Sequence, residues 1–104
     1  MKRFLIVSTL ALTLGSAAAQ AKPAAVYVGQ NLAKTAKITL AQATKSALTA
    51  RPGKITDTEL EKEAGGSGLR YSFDITQAGV AYEVGIDAQT GKVLENAAEG
   101  KNPD

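Results

Sequence analysis

Residues 69–76, LRYSFDIT, alternate large apolar and polar side chains without a break. Leu69, Tyr71, Phe73 and Ile75 fall on one side, and Arg70, Ser72, Asp74 and Thr76 on the other. Residues 81–87, AYEVGID, repeat the pattern with Tyr82, Val84 and Ile86. A period of two marks a strand with one buried face, because successive side chains of an extended chain point to opposite sides. With Ala78-Gly79 at the tip of a hairpin, paired positions sum to 157, so Ile75 faces Tyr82, Phe73 faces Val84 and Tyr71 faces Ile86. A slip of one residue would turn all six to the other face. Register and buried face are therefore specified together, and the rest of the chain must cover that face.

The cover is a helix over residues 38–50, ITLAQATKSALTA. Thr39 is suited to cap its first turn, and Gln42 three residues later completes a capping box, with Ile38 as the staple before it. Leu40, Ala43, Ala47 and Leu48 form one apolar stripe, rich enough in alanine for close approach to a sheet. Arg51-Pro52-Gly53 ends the helix, since the residue before proline avoids the helical region. Residues 54–63, KITDTELEKE, are a first strand with Thr58, Leu60 and Lys62 on one face and Glu59, Glu61 and Glu63 on the other. Ile55 is out of phase with Leu60, which predicts a bulge between them. Residues 64–68, AGGSG, are a flexible turn in which Ser67 has no fixed partner. Residues 87–92, DAQTGK, are a tight turn capped by Asp87 and opened by Gly91. Residues 92–96 form a short last strand, and 97–104, without a large apolar residue, are a flexible tail. The expected fold class is α+β: one helix packed on a three- to four-stranded antiparallel sheet, in two layers.

The N-terminal 21 residues, MKRFLIVSTLALTLGSAAAQA, have the order of a cleavable signal peptide: a basic start, an apolar run and small residues before the cut. The run from Phe4 to Leu14 falls short of the roughly 20 residues that span a bilayer. Cleavage is expected after Ala21 or after Ala19, which places the mature protein in the periplasm or outside the cell, not anchored to the membrane. Residues 22–37 read as an N-terminal arm or linker in which Val26-Tyr27-Val28 is suited to add a strand to a sheet edge. The formal charge of +2 belongs wholly to Lys2 and Arg3. Without them the 12 basic residues become 10, matching the 10 acidic ones, and the case for a nucleic-acid partner disappears.

The chain has no His and no Cys. Imidazole bases, thiol nucleophiles, disulfides and thiolate metal sites are excluded by counting. Lys45 and Ser46 are adjacent on a helix and diverge by about 100°, and the GGSG stretch lacks the ending of a phosphate loop. No catalytic residue, no metal site and no cofactor are expected. What remains is a binding face. Glu59, Glu61 and Glu63 form an acidic row whose members stand about 6.5 Å apart per step, too spread to wrap a cation. Arg70, Asp74 and Glu83 occupy the sheet face away from the helix, where an exposed Arg70 would pair with an acid on a neighbouring strand at about 0–1 kcal/mol. These six residues are the candidate partner-binding face.

Taken in order, ITLAQA, ARPGK, ELEKE, LRYSFDI and YEVGIDAQTGKVLE resemble a PepSY domain over residues 38–96. The resemblance implies the helix-on-sheet fold and a non-catalytic role as a protein-binding module, restraining or inhibiting a peptidase. It supplies no catalytic or ligand residue to carry over. The resulting expectation is an exported, non-enzymatic binding module of the cell envelope. Its partner would be a protein of the same compartment, and a peptidase would be inhibited or regulated in trans. The alternative is an envelope protein that binds a small ligand or a divalent cation.

Overall fold

The computed structural model describes residues 26–100. The expected signal peptide, its two expected cleavage positions and residues 101–104 lie outside the described residues. Helix α1 spans Leu40–Ala50. The Thr39 hydroxyl accepts from the Gln42 amide at 3.1 Å, and the Gln42 side chain accepts from the Thr39 amide at 2.8 Å, which is the expected capping box. Arg51 leaves the helical region just before Pro52. Four strands follow: β1 Lys54–Lys62, β2 Leu69–Gln77, β3 Val80–Asp87 and β4 Val93–Ala98. They form one antiparallel meander in the order β1-β2-β3-β4.

The hairpin register is the one the alternation requires, with Ile75 opposite Tyr82, Phe73 opposite Val84 and Tyr71 opposite Ile86. Ala78 and Gly79 both take positive φ, at 50° and 79°, the backbone that matches the twist of a two-residue hairpin. The bulge in β1 lies between Ile55 and Asp57, which returns Ile55 to the buried face. Leu60, Tyr71, Phe73, Ile75, Val84 and Ile86 join Ala43 and Ala47 of α1 in one buried cluster. The alanines let the helix backbone approach, and the Tyr71 hydroxyl finds the Ile38 carbonyl at 3.0 Å, so the largest core side chain is not left with a buried polar atom.

Three segments depart from the expectation. From Val26 on, the stretch read as an arm or linker is docked on the sheet, with Val28 at an edge as its composition suggested and the rest held more closely than a linker. Val28 forms a parallel bridge to Glu59, and a 3-10 turn at Gln30–Thr35 sets Leu32 and Ala33 against the core. Gly29, at φ 84°, makes this contact possible: a Cβ there would collide with the Leu60 carbonyl. Strand β4 runs two residues beyond the expected end, because Ala97 and Ala98 pair through their backbones with Glu83 and Tyr82, which needs no large side chain. The glycine-rich turn is tethered. The Ser67 amide and hydroxyl donate to the two carboxylate oxygens of Asp87, at 2.7 and 2.8 Å, so Ser67 does have a fixed partner.

Candidate partner-binding face

On the sheet face opposite the core residues, β1 contributes Asp57, Glu59 and Glu61, Glu63 follows just beyond its end, β2 contributes Ser72 and Asp74, and β3 contributes Glu83. Together they line a concavity of about 400 Å³. The strand register explains the convergence. Asp57 stands opposite Asp74, and Asp74 opposite Glu83, so three carboxylates run in a row across three strands. Like charges directly opposite one another destabilise a sheet.

The electrostatics follow from that crowding. Partial burial, then the charges of Glu61 and Asp57, push the Glu59 carboxyl above its usual range. Glu61 accepts a hydrogen bond from the Ser72 hydroxyl at 2.7 Å, which orders the middle of the row. Carboxylate oxygens of Asp74, Glu83 and Glu99 lie within 4.8 Å of one another. Oxygen ligands at that spacing suit a hard cation. The convergence that a cation would need is thus at Asp74, Glu83 and Glu99 and not along Glu59, Glu61 and Glu63.

Five of the six expected residues share this concavity, and Arg70 does not. It was expected to be exposed; it is 6 % exposed. Its side chain lies over Gly85, where a Cβ would press on the guanidinium. One terminal nitrogen is 3.2 Å from Glu95 and 3.7 Å from Glu63, and the other donates to the Ala64 carbonyl at 3.2 Å. The cause is the missing side chain at position 85, directly beside Ser72 in the register, which opens a trough that the arginine fills. Arg70 therefore ties the β1–β2 turn to β4. The residue-by-residue reading missed Asp57, Glu95 and Glu99. Asp57 was within reach, since the row Glu59, Glu61, Glu63 extends back to it at the same spacing of two. Glu95 follows from pairing β4 with Gly85. Glu99 lies in the stretch read as a tail, and its amide donates to the Ala81 carbonyl at 2.9 Å.

The described residues form one α-helix and a four-stranded antiparallel sheet whose polar face is dominated by carboxylates. The family whose profile matches residues 37–96 is PepSY, described as the peptidase propeptide and YPEB domain. That match covers more than half of the chain, and the chain belongs to the PepSY family. Domains of this family are generally non-catalytic propeptide or inhibitor-like modules and are typically extracellular or periplasmic. No curated protein and no solved structure matches the chain. Among the described residues no helix is long and apolar enough to cross a membrane.

Proposed function

We propose that this protein is an exported, non-enzymatic module that binds a protein partner through the acidic sheet face and restrains a peptidase in trans. In this reading α1 forms one layer and the sheet the other, with the helix covering the apolar face and the acidic face turned to the partner. The supporting observation is the row Asp57, Asp74 and Glu83 across three strands. A fold gains nothing from opposing like charges, whereas a partner surface with matched basic groups would relieve them and gain on-rate and register from them. The leading segment 1–21 supplies the export, and residues 38–96 the binding domain.

The test is capture from the secreted or periplasmic fraction by the wild-type protein and by an Asp74→Lys, Glu83→Lys variant whose fold is verified by circular dichroism. A partner retained by the wild type and lost by the variant, with peptidase activity that the wild type lowers on addition, is the expected result. Identical capture by both proteins overturns the acidic face as the binding surface. A second reading, a divalent-cation site, draws on the convergence of Asp74, Glu83 and Glu99. Calcium titration by calorimetry separates the two. Heat that disappears in Asp74→Asn with Glu83→Gln supports the cation, and no heat in the wild type removes it.

A further inference from the structure

Strand β1 is an edge of the sheet, and its outer side is only partly used. The Leu60 amide points outward and donates to the Val28 carbonyl at 2.9 Å. Backbone groups of a strand alternate in direction with a period of two, so the Thr58 amide and carbonyl face the same side. The Val28–Glu59 bridge takes the Thr58 carbonyl through the Val28 amide, and among the described residues no backbone partner outside the sheet reaches the Thr58 amide. The N-terminal segment diverges here. Val28 is bridged to Glu59, yet Val26, two residues earlier, is 91 % exposed. The divergence opens a slot of about 400 Å³ between Val26-Tyr27-Val28 on one wall and Leu40, Ile55 and Thr58 on the other.

Two concavities therefore flank one edge. The slot, with Tyr27, Leu40 and Ile55, lies toward the core side, and the acidic concavity, with Glu59 and Asp74, lies on the other side; Asp57 borders both. An extended chain added to β1 would send alternate side chains into the two. We infer that the β1 edge at Thr58 receives an extended peptide segment of the partner, one that alternates apolar and basic side chains. A backbone carbonyl of the segment accepts from the Thr58 amide, the apolar side chains enter the slot, and the basic ones lie against Asp57 and Glu59. The bridge made by Val28 shows that this edge accepts a strand, and the added segment continues that pairing along β1. The bulge at Thr56 keeps the pairing short. This inference rests on the acidic face as the partner-binding surface and adds which part of the partner meets which part of the sheet.

The probes are a capped octapeptide of alternating Val and Lys, the same peptide N-methylated at alternate amides, and hexalysine. The full chain is tested as wild type, Thr58→Ala and Thr58→Pro. Proline removes an outward amide without touching the β1–β2 ladder. The octapeptide is expected to bind wild type and Thr58→Ala alike and Thr58→Pro about tenfold more weakly, the scale of one hydrogen bond. The N-methylated peptide is expected to lose binding, while hexalysine is indifferent to Thr58→Pro. The Thr58 amide should gain protection from hydrogen exchange only when the octapeptide is present. Equal binding of the methylated and unmethylated peptides to wild type overturns the inference, and does so even where Thr58→Pro fails to fold. A Thr58 amide already protected in the free protein also overturns it, because the chain's own N-terminal residues would then fill the edge. Hexalysine binding that is lost in Asp74→Lys, alongside octapeptide binding insensitive to Thr58→Pro, defeats this inference alone. Failure of every probe to bind defeats it together with the acidic-face reading.

Discussion

Asp87 holds two turns at once. It is 1 % exposed, and one carboxylate oxygen accepts from the Gln89 and Thr90 amides at 2.8 and 3.1 Å as well as from the Ser67 hydroxyl. The other oxygen accepts from the Ser67 amide. Burial pushes this carboxyl upward, but the four donors outweigh it and hold it down at about 2. A carboxyl depressed on folding contributes stability above its unfolded value and loses it as pH falls through the folded one. Asp87 should therefore stabilise the fold fully above pH 4 and cease to do so by about pH 2. Asp87→Ala should cost about 2–4 kcal/mol in urea unfolding at pH 7, because several buried donors lose a charged acceptor together. It should also flatten the stability loss between pH 4 and pH 2. An unchanged acid limb in the variant would show that other carboxylates set it. Arg70 poses the complementary case. Removing Arg70 loses its packing over Gly85 together with its bonds to Glu95 and the Ala64 carbonyl, whereas Glu95→Gln leaves the cation with Glu63 and Ala64 as partners. Arg70→Ala should cost about 3 kcal/mol, while Glu95→Gln, which keeps a hydrogen-bond acceptor beside Arg70, should cost under about 1 kcal/mol. Equal costs in the two unfolding titrations would place Arg70 in an exposed pair after all.

At the scale of elements, periodicity carried the most information where both faces of a strand have a defined environment. The β2–β3 hairpin obeys it because six large side chains must reach one face together, and α1 obeys it because Thr39 and Gln42 reciprocate across one turn. The phase break at Ile55 was sufficient to place the bulge. The docked N-terminal segment was only half readable. Val26-Tyr27-Val28 has the composition of an edge strand, but its destination depends on Gly29 meeting the Leu60 carbonyl, a contact thirty-one positions away in sequence that no local pattern encodes. The burial of Arg70 was hidden for a similar reason. An absent side chain, at Gly85, creates the trough, and an absence has no hydrophobic signature. Gly29→Ala tests the docking directly. A β-carbon at φ 84° against backbone cannot be relieved by a rotamer change. The variant should release the segment, lower stability by about 1–3 kcal/mol and raise hydrogen exchange at the Leu60 amide, which pairs with Val28. Core amides of β2 should keep their rank order. Unchanged exchange at Leu60 would mean that the bridge contributes nothing to holding the segment.

At the scale of the whole molecule, the carboxylates of the described residues gather on one face of the sheet, although Lys54 and Lys62 share strand β1 with them. Among the described residues every carboxylate except Asp87 lies on or beside the acidic face, with Glu95 bound to Arg70 and Glu99 beside Asp74 and Glu83. Lys34, Lys37 and Lys45 sit instead on the helical segments or between them. Such a field acts on partners over a distance that salt controls, since exposed charges are screened beyond about 10 Å at 0.1 M. Binding of hexalysine should therefore weaken about tenfold between 30 and 300 mM NaCl. Two carboxyls with opposite shifts then separate binding from folding along the pH axis. Partial burial and the neighbouring charges of Glu61 and Asp57 raise Glu59, so the folded protein takes up that proton more readily than the unfolded chain. Acidification through this range relieves the crowded face and makes the fold slightly more stable while removing the charge that attracts a cation. Asp87, held at about 2, loses its contribution only as the pH falls under about 4. Hexalysine affinity should consequently fall on acidification from neutrality while the urea midpoint stays level or rises, and the midpoint should drop only under about pH 4. Measuring both on the same samples decides the point. A midpoint that falls in step with affinity from neutrality downward would mean that the acidic face supports the fold, and that its like charges are not in conflict.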